Sequence, residues 1–274
     1  MMQSFTLGGK SMCYSDVGTG EVLVFGHSYL WDSQMWQPQI EALCQNYRCI
    51  IPDLWAHGQS DSAPESMHTL RDYAGHILAL MDHLGIESFS VIGLSVGGMW
   101  GAELALLAPE RMKALVMMDT FIGLEPEITH AKYFAMLDAV IATQSFPKPI
   151  IEQVVPMFFS DRTLQRSPEE DFVAAFRTFL TETGGQQAAD IGQIGRIVFD
   201  RRDLFDDVEK LNLPVLIMVG EDDKPRPVLE SQLMLDAISG SRLVVVPQAG
   251  HISNLEQPGF VTQALSDFLC SLNC

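Results

Sequence analysis

Residues 89–104 read FSVIGLSVGGMWGAEL, an apolar run that passes through Gly93-Leu94-Ser95-Val96-Gly97 into a stretch of helical composition. The pattern G-x-S-x-G is typical of a serine on a tight strand-to-helix turn. Glycines two residues before and after the serine lack the Cβ atoms that would clash in such a strained turn. The amides that open the following helix face any negative charge that develops on a bound carbonyl oxygen. The stretch therefore predicts that Ser95 is a nucleophile.

Short apolar runs of strand length alternate with longer stretches of helical period on both sides of this unit. The predicted strands are residues 3–7, 11–16, 22–26, 48–52, 89–94, 113–118, 214–219 and 242–246. The predicted helices between and after them are residues 34–46, 69–84, 96–108, 228–239 and 256–271. This alternation favours an α/β fold with a mostly parallel, eight-stranded sheet flanked by helices.

The alternation is interrupted between about Gly123 and Asp203, where the patterns are mainly helical and no buried strand is evident. We therefore predict a core formed by residues 1–122 and 204–274, and a helical cap over the site formed by residues 123–203.

One of the seven histidines has the position expected of a general base. His251 lies on the loop that leaves the predicted strand 242–246, so it comes from the carboxyl end of a late strand. A serine hydroxyl is a weak nucleophile until a base removes its proton. His251 is therefore the predicted base for Ser95.

The imidazole in turn needs a carboxylate that fixes its tautomer and stabilises its cation. The loop after strand 214–219 offers three acids in Gly220-Glu221-Asp222-Asp223. We choose Asp223, with Asp222 as the alternative. Asp119, at the end of another strand, is a further structural possibility that we expect to cap the start of the helical insertion.

Acyl transfer also needs two N–H donors for the oxyanion and a pocket for the acyl group. The predicted donors are the backbone amides of Val96, directly after the nucleophile, and Tyr29, on the loop after strand 22–26. His27 is expected to brace that loop. For substrate contacts we expect Phe158, Phe159 and Trp100.

Composition excludes several classes of function. The net charge of −18 repels phosphate backbones and anionic lipid, so we expect neither a nucleic acid nor a membrane partner. Five cysteines without metal-binding spacing, and no signal peptide or membrane span in the pattern, predict a cytoplasmic protein. No cofactor or metal motif is evident, and we expect a monomer or homodimer.

These motifs together closely resemble the α/β-hydrolase family, in the branch that holds small bacterial carboxylesterases, cofactor-free haloperoxidase-like enzymes, enol-lactonases and carbon–carbon bond hydrolases. The segment 27–36 is similar to the family's oxyanion loop, with Ser28 where the family usually has glycine. The resemblance implies an acid three residues after Gly220, which is Asp223, and a histidine in the Gly250-His251 loop. A serine at position 95 differs from the aspartate of haloalkane dehalogenases and epoxide hydrolases.

The resemblance implies a serine esterase or lactonase that acts on a small, largely apolar substrate through an acyl-enzyme. Two alternatives stay open. The first is a carbon–carbon bond hydrolase or enol-lactonase of aromatic degradation, for which a basic pocket residue would hold a substrate carboxylate; Arg177, Arg196 and Arg226 are candidates. The second is a hydrolase-like receptor that binds a ligand without turnover.

Overall fold

An eight-stranded, mostly parallel sheet forms the centre of the computed structural model, which describes residues 2–166 and 171–272, without the side chain of Asp171. The strands are β1 (Gln3–Leu7), β2 (Lys10–Val17), β3 (Glu21–Gly26), β4 (Tyr47–Pro52), β5 (Phe89–Leu94), β6 (Met112–Met118), β7 (Val215–Gly220) and β8 (Arg242–Val246). Their order in the sheet is β1-β2-β4-β3-β5-β6-β7-β8. Strand β2 is antiparallel to both of its neighbours, and the other neighbouring pairs are parallel. The predicted fold class is confirmed.

Helices cover the sheet on both faces. Those that precede β6 among the described residues are α1 (Gln37–Leu43), α2 (Leu70–His83) and α3 (Val96–Leu107). Helix α2 packs on α3, and every residue of β5 is buried, as a strand covered on both faces requires. The start of α2 is fixed by a capping box, in which Thr69 and Asp72 each accept a hydrogen bond from the other's backbone amide. The predicted helix 34–46 begins instead with a 3-10 turn, Ser33–Trp36, ahead of α1.

Five helices follow β6 in the described part of residues 123–203. They are α4 (Glu127–Thr143), α5 (Lys148–Phe158), α6 (Asp161–Arg166), α7 (Asp171–Glu182) and α8 (Gly185–Phe199). Helix α4 packs on α8, and α5 packs on α7. We call residues 123–203 the insertion; its described residues are helical apart from connecting turns and one isolated bridge between Ser145 and Gly184. That the insertion forms a separate cap remains a prediction.

The described residues after the insertion form β7, β8 and four more helices. They are α9 (Phe205–Val208), α10 (Val228–Ala237), α11 (Ser253–Glu256) and α12 (Pro258–Ser271). Helix α12 packs on α1. No helix in residues 2–166 and 171–272 has both the length and the apolarity needed to cross a bilayer.

The sheet topology locates the site. Strand β3 pairs with β4 on one side and with β5 on the other, so the strand order reverses at β3. The carboxyl ends of β3 and β5 lie side by side, with Gly26 opposite Gly93. In open α/β sheets, ligands bind in the crevice outside such a reversal point.

Candidate active site

The turn between β5 and α3 places Ser95 at the carboxyl edge of the sheet. Ser95 has φ 55° and ψ −117°, a conformation that residues with a side chain rarely adopt. A Cβ atom on Gly93 would lie 2.1 Å from the carbonyl carbon of Gly97, and one on Gly97 would lie 2.2 Å from the carbonyl oxygen of Gly26. The two glycines of the motif are therefore required because backbone segments cross where side chains would lie.

The histidine and the acid meet at the ends of β8 and β7. The Nδ1 atom of His251 lies 2.9 Å from Oδ2 of Asp223, and both side chains are buried. The other oxygen of Asp223 accepts a hydrogen bond from the backbone amide of Arg226 at 2.9 Å. Nδ1 is the imidazole donor to the carboxylate, which leaves Nε2 free to accept a proton. Asp222, the alternative acid, is exposed.

Ser95 and His251 line the same cavity. The ring of Phe158 packs edge-on against the imidazole, with centroids 5.3 Å apart. Within the described part of the chain, no hydrogen bond joins the Ser95 hydroxyl to the imidazole. Hydrogen bonds of this kind are often long in ligand-free enzymes and shorten when substrate binds.

Asp119 has a different role from the one expected. Its carboxylate is fully buried and accepts hydrogen bonds from the amide of Gly220 at 2.7 Å and the hydroxyl of Ser253 at 2.5 Å. Burial raises the pKa of Asp119 well above its ordinary value, and the nearby charge of Asp223 raises it further. Asp119 therefore joins β6 to the end of β7 and to the loop after His251, rather than capping the insertion.

The backbone amides of Tyr29 and Val96 are the predicted oxyanion donors. Among the described residues, neither the Tyr29 amide nor the Val96 amide donates a hydrogen bond. The next amide along the loop, that of Leu30, is already committed to Nε2 of His57 at 3.1 Å. Val96 opens helix α3, whose N-terminus favours negative charge.

Two buried histidines hold the loop after β3, the predicted oxyanion loop, in place. Nε2 of His27 accepts a hydrogen bond from the Leu54 amide at 2.7 Å, as a bracing role requires. Burial, with a smaller contribution from His27, lowers the pKa of His57 to about 3, so His57 is neutral and able to accept from Leu30. The contribution of His57 was missed from the sequence because its partner lies 27 residues away, beyond any local motif.

The side chain of Tyr29 was also missed, because only its backbone amide was assigned a role. Its hydroxyl donates a hydrogen bond to the carbonyl oxygen of Ile191, 2.9 Å away on α8. The ring also lines the cavity. Tyr29 thus connects the oxyanion loop to the insertion.

The cavity beside Ser95 is walled largely by apolar side chains of the insertion. These side chains include Leu137, Val140, Phe146, Ile150, Val154 and Phe158. Phe158, which the sequence predicted to contact substrate, is among the residues that line this cavity. In residues 2–166 and 171–272, no cluster of three His, Cys, Asp or Glu side chains is arranged to hold a metal ion.

Trp100 and Phe159, also predicted to contact substrate, do not line this cavity. Trp100 is fully buried beneath β3, against Gly26, with its ring edge-on to Tyr73. Its neighbour Met99 lines the cavity instead, because successive helical residues point in different directions. Phe159 lies just past the end of α5 and packs among other aromatic rings of the insertion and the oxyanion loop, which are Trp31, Phe172 and Phe176.

A family model described as alpha/beta hydrolase fold matches residues 21–258. 3-Oxoadipate enol-lactonase 2 of Acinetobacter baylyi is 27% identical over 251 residues, which cover 92% of this chain and 89% of that relative. Carboxylesterase YbfK of Bacillus subtilis is 27% identical over 265 residues, which cover 90% of this chain and 80% of that relative. The structure of a thermophilic esterase from Thermogutta terrifontis matches with a TM-score of 0.89 at 26% identity, over 100% of both chains.

Proposed function

Because this chain belongs to the α/β-hydrolase fold family, we propose that it is a serine hydrolase that cleaves carboxylic ester or lactone bonds of small, largely apolar substrates through an acyl-enzyme. The proposal depends above all on one observation. Ser95 and His251 line one apolar cavity, and His251 is held from behind by the buried Asp223. The similarity to proteins named carboxylesterase, esterase and enol-lactonase supports the same reaction class.

In the first half-reaction, Oγ of Ser95 attacks the substrate carbonyl carbon while Nε2 of His251 takes the hydroxyl proton. The proton on Nδ1 stays with the imidazole, and the charge of Asp223 stabilises the imidazolium that forms. The tetrahedral intermediate collapses when its C–O bond to the leaving group breaks. His251 gives its Nε2 proton to the departing alkoxide. An ester releases it as an alcohol, whereas in a lactone the new hydroxyl stays attached to the acyl chain.

The negative charge on the carbonyl oxygen is assigned to the amides of Tyr29 and Val96. Donors that are already oriented stabilise such a charge without further reorganisation. His57 keeps Leu30 in position, so that the Tyr29 amide stays available for the oxyanion. In the second half-reaction, His251 removes a proton from water, and the resulting hydroxide attacks the acyl carbon. The bond between the acyl carbon and Oγ of Ser95 then breaks, and His251 returns the proton to Oγ.

The insertion supplies most of the apolar wall, so we assign it the role of a cap that shelters the acyl group from water. Apolar acyl chains gain roughly 0.8 kcal/mol for each buried methylene. An apolar cavity therefore favours substrates whose acyl part is a hydrocarbon chain or ring.

Hydrolysis of p-nitrophenyl esters from acetate to octanoate tests the proposal. Ser95→Ala and His251→Ala are expected to lower kcat by at least about 10³-fold. Ser266→Ala, which removes a hydroxyl bonded only within α12, is the matched control and should retain full activity. No turnover by the wild type, or turnover that survives Ser95→Ala, would overturn the proposal.

Labelling with a fluorophosphonate separates an enzyme from a non-catalytic receptor. The probe reacts only with a serine whose hydroxyl is activated by a base. We expect one equivalent of label on the peptide that contains Ser95, and none after His251→Ala. Tight binding of an ester without labelling would instead indicate a receptor.

A further inference from the structure

A buried cluster of four charged side chains adjoins the cavity. The carboxylate of Glu125 accepts hydrogen bonds from Arg201, at 2.7 Å, and from Arg226. Each of these three side chains is 4% exposed or less. Glu230 completes the cluster, with Oε2 3.4 Å from Nη1 of Arg226. Two cations and two anions give the cluster a net charge of zero.

Arg226 connects this cluster to the catalytic machinery. It is the only lysine or arginine among the described residues that line the cavity. Its backbone amide donates to the carboxylate of Asp223, so the cluster lies directly behind the acid of the triad. The two other arginines considered as carboxylate ligands, Arg177 and Arg196, pair elsewhere with Glu152 and Asp138 and do not line the cavity.

The pairing keeps Arg226 from acting as a free cation. Burial alone would raise the pKa of Glu125, but Arg226 and Arg201 outweigh that effect and lower the pKa, so Glu125 remains charged. Burial raises the pKa of Glu230 above its ordinary value, although Arg226 opposes the shift. Glu125 and Glu230 both lie within ion-pair distance of the Arg226 guanidinium, so its charge is offset from two sides.

A substrate carboxylate would lose its water on entering this cavity and would find its one possible cationic partner already neutralised. An unpaired buried charge is disfavoured by several kcal/mol. We propose that the Glu125–Arg201–Arg226–Glu230 cluster makes the site selective for esters or lactones with an uncharged acyl part. Glu230 is a specificity-determining residue in this proposal because it neutralises Arg226. The inference rests on the proposed ester hydrolysis.

A matched pair of substrates tests it at pH 8. p-Nitrophenyl hexanoate and mono-p-nitrophenyl adipate differ by one terminal group, a methyl in the first and a carboxylate in the second. The wild type is expected to have a kcat/KM at least about tenfold higher for hexanoate. Glu230→Gln leaves the cluster with a net positive charge, so the preference should fall by about 3- to 10-fold through faster adipate hydrolysis.

Asp236→Asn is the control for net charge. Asp236 is exposed on α10, the helix that carries Glu230, so its substitution changes the total charge equally but away from the cavity. It should leave the hexanoate preference unchanged. Arg226→Gln provides a second variant with the opposite sign: it leaves the cluster negative and should increase the preference.

The outcomes separate this inference from the proposed function. If the wild type hydrolyses neither ester, ester hydrolysis itself fails. If it hydrolyses hexanoate but also hydrolyses adipate equally fast, the selectivity inference alone is overturned. The same holds if Glu230→Gln folds, as judged by its Tm, and keeps the wild-type preference.

Discussion

The carboxylate of Glu256 accepts a hydrogen bond from the backbone amide of Gly250, 2.7 Å away, and Gly250 directly precedes His251. The same carboxylate accepts from the hydroxyl of Ser160, at 2.6 Å, and from that of Thr163. Ser160 lies between α5 and α6 in the insertion, and Thr163 lies within α6. Glu256 therefore fastens the histidine loop to the wall of the cavity, and it acts on the reaction through the position of His251.

Replacing Glu256 tests this positioning. One oxygen of Glu256 accepts from the Gly250 amide, and the other accepts from the Ser160 amide at 3.1 Å. In Glu256→Gln, the side-chain NH₂ therefore faces a backbone N–H in either orientation, and one hydrogen bond is lost. We expect the free energy of unfolding to fall by about 1–3 kcal/mol. For a p-nitrophenyl ester, kcat should fall by about tenfold with little change in KM, since a misplaced base affects the transition state. Glu65→Gln, at an exposed site, is the control; an unchanged kcat for Glu256→Gln would contradict the positioning role.

Two glycines give opposite expectations for the same substitution. Gly97→Ala would place a Cβ 2.2 Å from the carbonyl oxygen of Gly26, and no flexible side chain is available there to move away. It should cost about 3 kcal/mol or more of unfolding free energy and abolish ester hydrolysis. Gly75→Ala meets nothing within 4 Å inside helix α2 and should stabilise the protein by about 0.5–1 kcal/mol. Urea denaturation measures both, and equal effects would show that the crossing of β3 and α3 is not tight.

The parts of the site that are predictable from sequence are those coded locally. The turn around Ser95 carries its own glycines, and Asp223 and His251 each lie on the loop that follows an apolar run of strand length. In a parallel sheet the ends of such strands meet at one edge, so the order of these residues along the chain already indicated their meeting. The same logic placed the eight strands within about a residue of their observed bounds.

The parts that were not predictable depend on packing between distant segments. Trp100 was predicted to contact substrate, but the direction of its side chain depends on where α3 crosses β3. The link between Arg226 and Glu125 spans 101 residues, and neither has a local pattern that distinguishes a buried ion pair from two surface charges. Such contacts can be predicted only once the position of the insertion relative to the sheet is known.

The neutral state of His57 predicts a loss of stability in acid. Histidine in an unfolded chain has a pKa near 6.5, whereas burial, with a contribution from His27, lowers the pKa of folded His57 to about 3. Below pH 6.5 the unfolded chain therefore binds a proton that the folded protein does not, and stability falls as the pH drops towards 3. The slope attributable to this residue is about 1.4 kcal/mol for each pH unit.

Urea denaturation between pH 7 and pH 4 measures that slope. His57→Gln retains an acceptor for the Leu30 amide but has no proton to gain, so its slope should be shallower by about 1.4 kcal/mol per pH unit. His68→Gln, which replaces an exposed histidine, should retain the wild-type slope. If the His57→Gln and wild-type slopes coincide, His57 is not the buried neutral group that the site requires.

The length of the acyl chain should be set along helix α5. Phe158, beside His251, is followed in the cavity wall by Val154 and Ile150, each four residues earlier and so about 6 Å further along the helix axis. An acyl chain attached to Ser95 that extends along this row passes Val154 before it reaches Ile150. Val154→Phe should block longer chains, lowering kcat/KM for p-nitrophenyl octanoate by about tenfold or more while acetate hydrolysis changes by less than about threefold. Gln153→Phe adds the same ring to the exposed face of α5 and should leave the chain-length profile intact. Equal losses for acetate and octanoate in Val154→Phe would mean that the ring disturbs the catalytic residues rather than the acyl path, and an unchanged profile would place the acyl chain along a different wall.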